Sequence, residues 1–341
     1  MGAIAAVLAL NSPTYANDST AELATGGLQF VRTEDIEMRS EELSISPSEV
    51  RVTYHFVNKT DRPITNLVAF PLPDITVDNP DWNAVVPTED PVNFLGFTTT
   101  ANGQPVATQV EQKVFAMGVE RTATLQQLGI PLAPQLKATS DALDALPKEK
   151  WDELIAFGVA ETDEYGTTPD GKMQLHLEPR WTLKTTYYWP QTFPAGQETV
   201  IEHRYKPSVG ASAGSEVGGP IYAGDPQFAA DQKKRMATYT AKYCMDSGFL
   251  SAATKAQQKA KQNKGYVSEQ RIDYILTTGA NWAGPIADFT LTVDKGSPDN
   301  LISFCGTGVK KLTPTQFQLN YTNFTPTADL AILILTPRGP E

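Results

Sequence analysis

Residues 50–74 decide the fold class and read VRVTYHFVNKTDRPITNLVAFPLPD. Apolar or aromatic residues occupy every second position from 50 to 56, a period that is typical of a strand with one buried face. Turn-forming residues follow at 58–63, and a second apolar run ends at Pro71 and Pro73, which cannot donate to a ladder. The stretch therefore predicts a β-hairpin and favours an antiparallel β-sandwich.

The chain shows two blocks of short strand-like runs, the first of which contains this stretch. These blocks cover residues 17–207 and 227–341, with a helical insertion near 118–161 in the first and a helical segment opening the second. The segment 208–226 is crowded with Gly, Ser and Pro, a composition typical of an interdomain linker. We therefore predict a mainly β protein with two antiparallel β-sandwich-like domains, each carrying one helical insertion.

The start of the sequence predicts export. Residues 1–16 carry no charge, are apolar from 3 to 10, and end in Pro-Thr-Tyr-Ala, which is typical of a signal peptide cleaved after Ala16. The missing basic residues leave an uncleaved anchor as the alternative, although eight apolar residues are too few to span a bilayer. The expected location is periplasmic or secreted, with no integral membrane span after cleavage.

Charge and cysteine content narrow the function classes. The formal net charge of -11 disfavours nucleic acid as a partner, because nucleic acid is bound by clustered Lys and Arg. The two cysteines, Cys244 and Cys305, form an even pair in a chain predicted to be exported, so a disulfide within the second domain is expected. Two buried thiols are the alternative, and neither cysteine has a neighbouring ligand at zinc spacing.

Seven segments carry a resemblance to a known family: NDSTAELATGG (17–27), IEMRS (36–40), LVAFPLPD (67–74), QTFPAG (191–196), IEHRY (201–205), TGANWAGPI (278–286) and VKK (309–311). On these segments the chain resembles an uncharacterised family of exported Gram-negative proteins, domain-of-unknown-function family 4424. The resemblance implies no established activity, cofactor or catalytic residue. Residues 50–205 also resemble the vault/inter-alpha-trypsin β-sandwich module, which implies protein interaction, although the Asp-rich loop at 74–91 and the helical insertion depart from that module.

Candidate catalytic and metal-binding residues are sparse. The three histidines, His55, His176 and His203, lie in separate predicted strands without zinc spacing, and no Gly-x-Ser-x-Gly elbow is present. We therefore assign no catalytic, cofactor-binding or metal-binding residue and expect no cofactor.

Acidic side chains offer a weaker metal hypothesis. One loop collects oxygen ligands suited to Ca²⁺, but their spacing fails the EF-hand pattern, so we expect a solvated turn region without tight metal. The ligands in question are Asp74, Asp78, Asn79, Asp81, Asn83, Glu89 and Asp90. The carboxylate pairs Glu34–Asp35 and Glu41–Glu42 are expected on the solvated surface.

Aromatic residues are expected to pack rather than to bind ligands. Aromatics at strand spacing are usually core, and Trp282 in a glycine-containing loop is expected to be a docking plug. The strand aromatics are Trp181, Tyr187, Tyr188 and Trp189.

The expected function is non-enzymatic binding or interaction in the cell envelope, with a protein or envelope component as partner. The alternative is an exported hydrolase whose site is assembled only in three dimensions. A polar cleft holding a histidine against a serine would favour the hydrolase, whereas exposed sheet edges or an apolar patch would favour binding.

Overall fold

A computed structural model describes residues 17–77, 83–167 and 171–340. The predicted signal peptide, residues 1–16, lies outside these residues. The first strands are β1 (Ser19–Ala24), β2 (Gly27–Val31), β3 (Ile36–Ile45), β4 (Val50–Asn58), β5 (Ile64–Pro71), β6 (Ile75–Thr76), β7 (Asn83–Val85), β8 (Thr98–Ala101), β9 (Gln104–Pro105), β10 (Gln109–Ala116) and β11 (Val119–Glu120). The later strands are β12 (Ala160–Thr167), β13 (Met173–Pro179), β14 (Thr182–Phe193), β15 (Glu198–Tyr205), β16 (Val209–Ser212), β17 (Tyr266–Tyr274), β18 (Ile286–Asp294), β19 (Leu301–Phe304), β20 (Lys310–Lys311), β21 (Gln316–Phe324) and β22 (Leu330–Arg338). The prediction of a mainly β protein is confirmed.

Helices occupy the two regions where the sequence predicts them. They are α1 (Thr122–Gln127), α2 (Lys137–Asp144), α3 (Lys148–Ala156), α4 (Pro226–Tyr243) and α5 (Ser247–Gln262), with a 3-10 helix at Thr277–Asn281. The Asp225 carboxylate caps α4 by accepting from the backbone N–H of Gln227 at 2.7 Å. The Asp246 carboxylate caps α5 by accepting from the N–H of Phe249 at 2.7 Å. These two caps start the helices on either side of the predicted break.

The strands form two large sheets, a smaller third sheet and a separate hairpin. The first sheet has the order β11-β10-β14-β5-β1-β2, with β6 beside β14. The second has the order β20-β21-β18-β3-β4-β15-β8-β9, the third β19-β22-β17-β16-β7, and β12 pairs with β13 alone. Between the strands given above, pairing is antiparallel except for β18 and β3, which run parallel.

The main core lies between the inner faces of the first and second sheets. The ring of Phe97, just before β8, stacks on Tyr187 of the first sheet with centroids 4.1 Å apart. Phe56 of the second sheet meets Phe193 of the first at 5.8 Å. The alternation that predicts β4 is also its burial pattern, since residues 50, 52, 54 and 56 are all buried. The two sheets therefore form the predicted sandwich.

The predicted hairpin between β4 and β5 is wrong. β4 pairs with β3 and β15 in the second sheet, whereas β5 pairs with β14 and β1 in the first. The chain crosses between sheets at Asn58, whose buried side-chain amide donates to the carbonyls of Arg62 at 2.8 Å and Phe193 at 2.9 Å. Alternation identifies a strand and its buried face but not its partner, and turn residues also build such crossings.

Strands from both predicted domains share sheets. β18 lies beside β3 in the second sheet, and β7 lies beside β16 in the third. The segment 208–226, predicted as a linker, instead contributes β16 to the third sheet and buries Val217. Its small residues are compatible with a strand that pairs on both edges. The division into 17–207 and 227–341 remains a prediction about folding units, but it does not separate the sheets.

Cys244 and Cys305 form a disulfide, with Cα atoms 5.0 Å apart and 61 residues apart in sequence. Cys244 ends α4, and Cys305 follows β19, so the bond ties the helical segment to the third sheet.

Reduction of this disulfide is expected to lower stability by about 4 kcal/mol in the chain-entropy model, because the bond closes a long loop in the unfolded chain. Because the sheets contain strands from both predicted domains, we expect the protein to unfold in a single transition. Reduction should lower the midpoint temperature of that transition. Thermal unfolding with and without reductant measures this shift, with a Cys244→Ser/Cys305→Ser variant as the control that reductant leaves unchanged. An unshifted midpoint in the native protein would contradict the prediction.

Candidate functional site

A groove of about 1090 Å³ lies over the outward face of the first sheet. Its floor is formed by alternate residues of β10 and β14, whose other residues face the core. The turn between β1 and β2 closes one side, because the Gly26 carbonyl accepts from Lys113 Nζ at 2.5 Å and the Leu28 N–H donates to Glu111 Oε1 at 2.9 Å. The start of β12, with Gly158 before it and Arg180 after β13, forms the opposite side.

Three pairs of opposite charges line the groove. Lys184 Nζ lies 2.9 Å from Asp74 Oδ2, Lys113 Nζ lies 3.4 Å from Glu111 Oε2, and Arg180 Nη1 lies 2.9 Å from Glu161 Oε1. Each pair is partly exposed, so each contributes little to folding stability. The groove therefore carries both signs of charge in positions where a ligand can reach them.

The rim of the groove is apolar. Met117 and Gly118 form the tight turn between β10 and β11 with positive φ angles of 50° and 76°, the conformation that two-residue hairpin turns favour. The Met117 side chain is 83% exposed. Leu28, Phe30 and Phe115 supply further apolar surface within the groove. An exposed flexible thioether beside aromatic rings is typical of surfaces that bind other molecules.

The groove holds side chains suited to recognition. Its only side-chain hydroxyls belong to Thr182 and Thr186, and no histidine, cysteine or serine is among its lining residues. The Thr182 hydroxyl donates to Thr76 Oγ1 at 3.2 Å rather than to one of the carboxylates in the groove. The arrangement can pair with charges on a ligand and cover its apolar groups.

A second cluster of polar residues lies between the two large sheets, closed off from solvent. Glu41 on β3, Tyr54 on β4 and His203 on β15 project inward and are fully buried. Asn17 and Asp18, which precede β1, are also fully buried and face these three residues. We call these five residues the buried polar network.

Direct hydrogen bonds connect the network. The Asn17 side-chain amide donates to Glu41 Oε2 at 2.8 Å, and the Tyr54 hydroxyl donates to Asn17 Oδ1. His203 Nε2 lies 3.0 Å from Asp18 Oδ1. Among the described residues, Asp18 Oδ2 and Glu41 Oε1 have no hydrogen-bond partner. Burial raises the pKa of Glu41 to about 8 and raises the pKa of Asp18, although His203 opposes the rise for Asp18.

His203 also contacts a hydroxyl, as the hydrolase alternative requires. Its Nδ1 lies 3.0 Å from Thr99 Oγ1, so the order Thr99, His203, Asp18 matches hydroxyl, base and carboxylate. However, His203 and Asp18 are fully buried, Thr99 is 4% exposed, and none of the three lines the groove. The surrounding rings of Phe70, Phe97, Tyr54 and Trp189 fill the space that a substrate would need.

The other histidines lie apart from this cluster. His55 Nδ1 lies 3.1 Å from Glu198 Oε1 at the surface. His176 Nδ1 lies 2.6 Å from Asp144 Oδ2, and its ring stacks on Tyr165. The structure thus brings no two histidines together.

The acidic loop is only partly described. Asp74 pairs with Lys184 in the groove, and Asp90 accepts from the backbone N–H of Val92 and Asn93, each at 2.8 Å. Asp78, Asn79 and Asp81 lie outside the described residues. The absence of tight calcium remains a prediction.

The expectation for Glu41 is wrong. Glu34, Asp35 and Glu42 are exposed as predicted, but Glu41 is fully buried. Glu41 is in phase with Leu43 and with residue 45, both of which face the core. That phase was a usable signal in the sequence, and it would have located one member of the buried polar network.

The prediction that the strand aromatics belong to the core is confirmed for three of the four residues. Trp181, Tyr187 and Trp189 are at most 1% exposed. Trp282 is also buried, and its indole N–H donates to the Asp18 carbonyl at 2.7 Å. Trp282 therefore plugs the core beside the buried polar network.

Within the part of the chain that the structure describes, no helix is long and apolar enough to cross a membrane.

Two solved structures are similar to this chain at low identity. One is a candidate nutrient-binding protein from Legionella pneumophila subsp. pneumophila str. Philadelphia 1, with 14% identity, a TM-score of 0.43, and coverage of 94% of this chain and 70% of that chain. The other is an M1 zinc metallopeptidase from Deinococcus radiodurans bound to a Tyr-Ser-Ala substrate, with 10% identity, a TM-score of 0.23, and coverage of 89% of this chain and 43% of that chain. At these identities and TM-scores, neither the binding role of the first protein nor the peptidase activity of the second is assigned to this chain.

The family comparison agrees with the segments quoted above. No curated protein matches the sequence. The model of a domain of unknown function, family 4424, matches residues 16–333, a range that includes the buried polar network and both sides of the groove. The chain belongs to domain-of-unknown-function family 4424.

Proposed function

We propose that this protein is a non-enzymatic binding protein of the bacterial envelope, periplasmic or secreted, that holds a polypeptide segment of a partner protein. The observation that carries the proposal is the groove over the first sheet, which combines three pairs of opposite charges with an exposed apolar rim. A polypeptide offers charged and apolar side chains in alternation, so its chemistry matches this lining.

Free strand edges beside the groove support the same proposal. Within the described parts of the chain, β10 has a partner on its second edge only at Phe115 and Ala116, where β11 pairs with it. Among the described residues, β12 and β13 pair only with each other. An extended segment can add to such an edge through main-chain hydrogen bonds while its side chains enter an adjacent groove.

Exposed apolar side chains extend the surface beyond the groove. Tyr165, Met173 and Leu175 on the β12–β13 hairpin are 42%, 54% and 43% exposed. Burial of such side chains against a partner is favourable by roughly 25 cal/mol per Å² of apolar area. The hairpin therefore offers apolar contact along the same two strands, of which β12 contributes Glu161 to the groove.

Position-specific photo-crosslinking tests this proposal. Met117 is replaced by a photo-reactive amino acid, and Leu312, 50% exposed beside β20 in the second sheet, is replaced in a matched control. After irradiation in envelope extracts, we expect a protein adduct at position 117 that is absent at 312. The adduct should weaken when Lys184→Glu reverses a charge in the groove floor. Identical adducts at both positions, or an adduct insensitive to Lys184→Glu, would contradict the proposal.

A further inference from the structure

Asn17 is bound through every polar group it has. Its backbone N–H donates to Thr278 Oγ1, and its carbonyl accepts from the same hydroxyl at 2.5 Å. Its side-chain amide donates to Glu41, and its side-chain oxygen accepts from the Tyr54 hydroxyl and the Asp18 N–H. The residue is therefore held in a closed pocket rather than at the surface.

The pocket fits Asn17 closely. A Cβ atom on Gly279 would lie 2.7 Å from Asn17 Nδ2, so a side chain at position 279 would displace Asn17. Trp282 closes the next part of the pocket by donating to the Asp18 carbonyl. The hydrogen bonds and the close packing therefore hold Asn17 at one position in the core.

The pocket holds two acidic side chains and, among the described residues that hydrogen-bond to them, no Lys or Arg. Two fully buried carboxylates, Asp18 and Glu41, face one imidazole, that of His203, which contacts Asp18. The remaining contacts of Glu41 come from the neutral Asn17 amide, and Glu41 Oε1 has no partner among the described residues. A buried carboxylate stays ionised when a cation pairs with it, because removal of an unpaired charge from water is strongly unfavourable. Without a cation the group tends to keep its proton, which is the direction in which burial moves the pKa of Glu41.

We propose that the α-amino group of Asn17, freed by cleavage after Ala16, is the buried cation that pairs with Glu41. Hydrolysis adds water across the Ala16–Asn17 peptide bond, leaving a carboxylate on Ala16 and an amine on Asn17, which takes up a proton. The resulting ammonium has three donors. One can keep the bond to Thr278, and the others become available to the carboxylate oxygens that lack partners. Processing of the chain is thereby coupled to completion of the core.

The geometry favours this residue over a neighbouring start. Asn17 already contacts Glu41 Oε2 through its side-chain amide, whereas its backbone nitrogen contacts Thr278, so the α-amino group belongs to the residue that is bonded to that carboxylate. Ser19 begins β1 and pairs with Ala69 of the first sheet, so a chain starting there would lack both Asn17 and Asp18 from the network. The family model also begins at residue 16, next to the proposed cleavage point.

Amine acylation tests the buried ammonium directly. The chain is released from an N-terminal fusion by a protease that leaves Asn17 first, and the native protein is treated with acetic anhydride. We expect the α-amine to react about 100-fold more slowly than in urea-unfolded protein, because reaction requires the core to open. Lys233, which is exposed, is the internal control and should react at similar rates in both states. An α-amine that reacts as fast as Lys233 in the native protein would overturn the proposal.

A second comparison separates the charge from the shape of the pocket. Glu41→Gln is measured in the chain that starts at Asn17 and in one that retains an acetylated Ala16, which places a neutral amide at Asn17. The proposal requires a larger drop in thermal midpoint for Glu41→Gln in the chain with the free amine. Equal drops would contradict the pairing with Glu41. If Glu41→Gln folds with the acetylated Ala16 but not with the free amine, that difference supports the pairing, whereas failure to fold in both chains would contradict a role specific to the charge.

Discussion

Replacement of His203 by alanine is expected to destabilise the protein by about 3–5 kcal/mol, because it removes a buried ring and leaves buried polar groups without their hydrogen-bond partner. The substitution leaves the Asp18 carboxylate buried without its 3.0 Å contact and removes the partner of the Thr99 hydroxyl. It also opens a cavity beside the rings of Phe70 and Phe97. A loss of this size is a large share of the 5–15 kcal/mol that typically stabilises a domain.

Urea unfolding followed by tryptophan fluorescence measures the His203→Ala effect. His55→Ala is the matched control, because His55 is also a strand histidine beside a carboxylate but lies at the surface near Glu198. We expect that control to change stability by less than about 1 kcal/mol. Similar losses for the two variants would show that the buried polar network does not stabilise the core.

Replacement of Trp282 by alanine is expected to be equally damaging, at about 3–5 kcal/mol. Its ring lies 4.4 Å from that of Phe56 and 6.1 Å from that of Phe193, between centroids, so its removal leaves a large cavity between the sheets. Its indole N–H also donates to the Asp18 carbonyl, which would be left buried without that donor.

Trp282→Phe separates packing from hydrogen bonding. Phenylalanine keeps most of the apolar contact but cannot donate, so we expect it to lose about 1–3 kcal/mol, the desolvation penalty of an unsatisfied buried acceptor. Chemical unfolding of both variants and the native protein gives the comparison. Equal losses for alanine and phenylalanine would contradict a packing role for this residue.

Local pattern predicted the elements but not their partners. Alternation from residue 50 to 56 identified β4 and its buried face, and the residues around Asp246 placed the break between α4 and α5. The same pattern did not reveal that β5 belongs to the other sheet. Strand pairing depends on contacts between distant segments, as with β3 and β18, which a local period does not report.

The candidate site was less predictable than the fold. Lys184 and Asp74 form a pair in the groove although they are 110 residues apart, and each alone resembles an ordinary surface charge. Local signals existed for two members of the buried polar network: the phase of Glu41 with Leu43, and the alternation that places Tyr54 on the buried face of β4. Composition also described the segment 208–226 poorly, because Gly and Ser suit a paired strand such as β16 as well as a linker.

The affinity of the cross-linked partner for the groove tests the proposed function most directly. The partner identified at position 117 is purified, and its binding is measured by calorimetry to the native protein, to Lys184→Glu and to Lys310→Glu, which alters an exposed lysine on β20 in the second sheet. We predict that Lys184→Glu weakens binding about tenfold or more, through loss of charge complementarity, while Lys310→Glu leaves the affinity unchanged. Equal affinity for the native protein and Lys184→Glu, with both variants folded, would contradict binding at the groove.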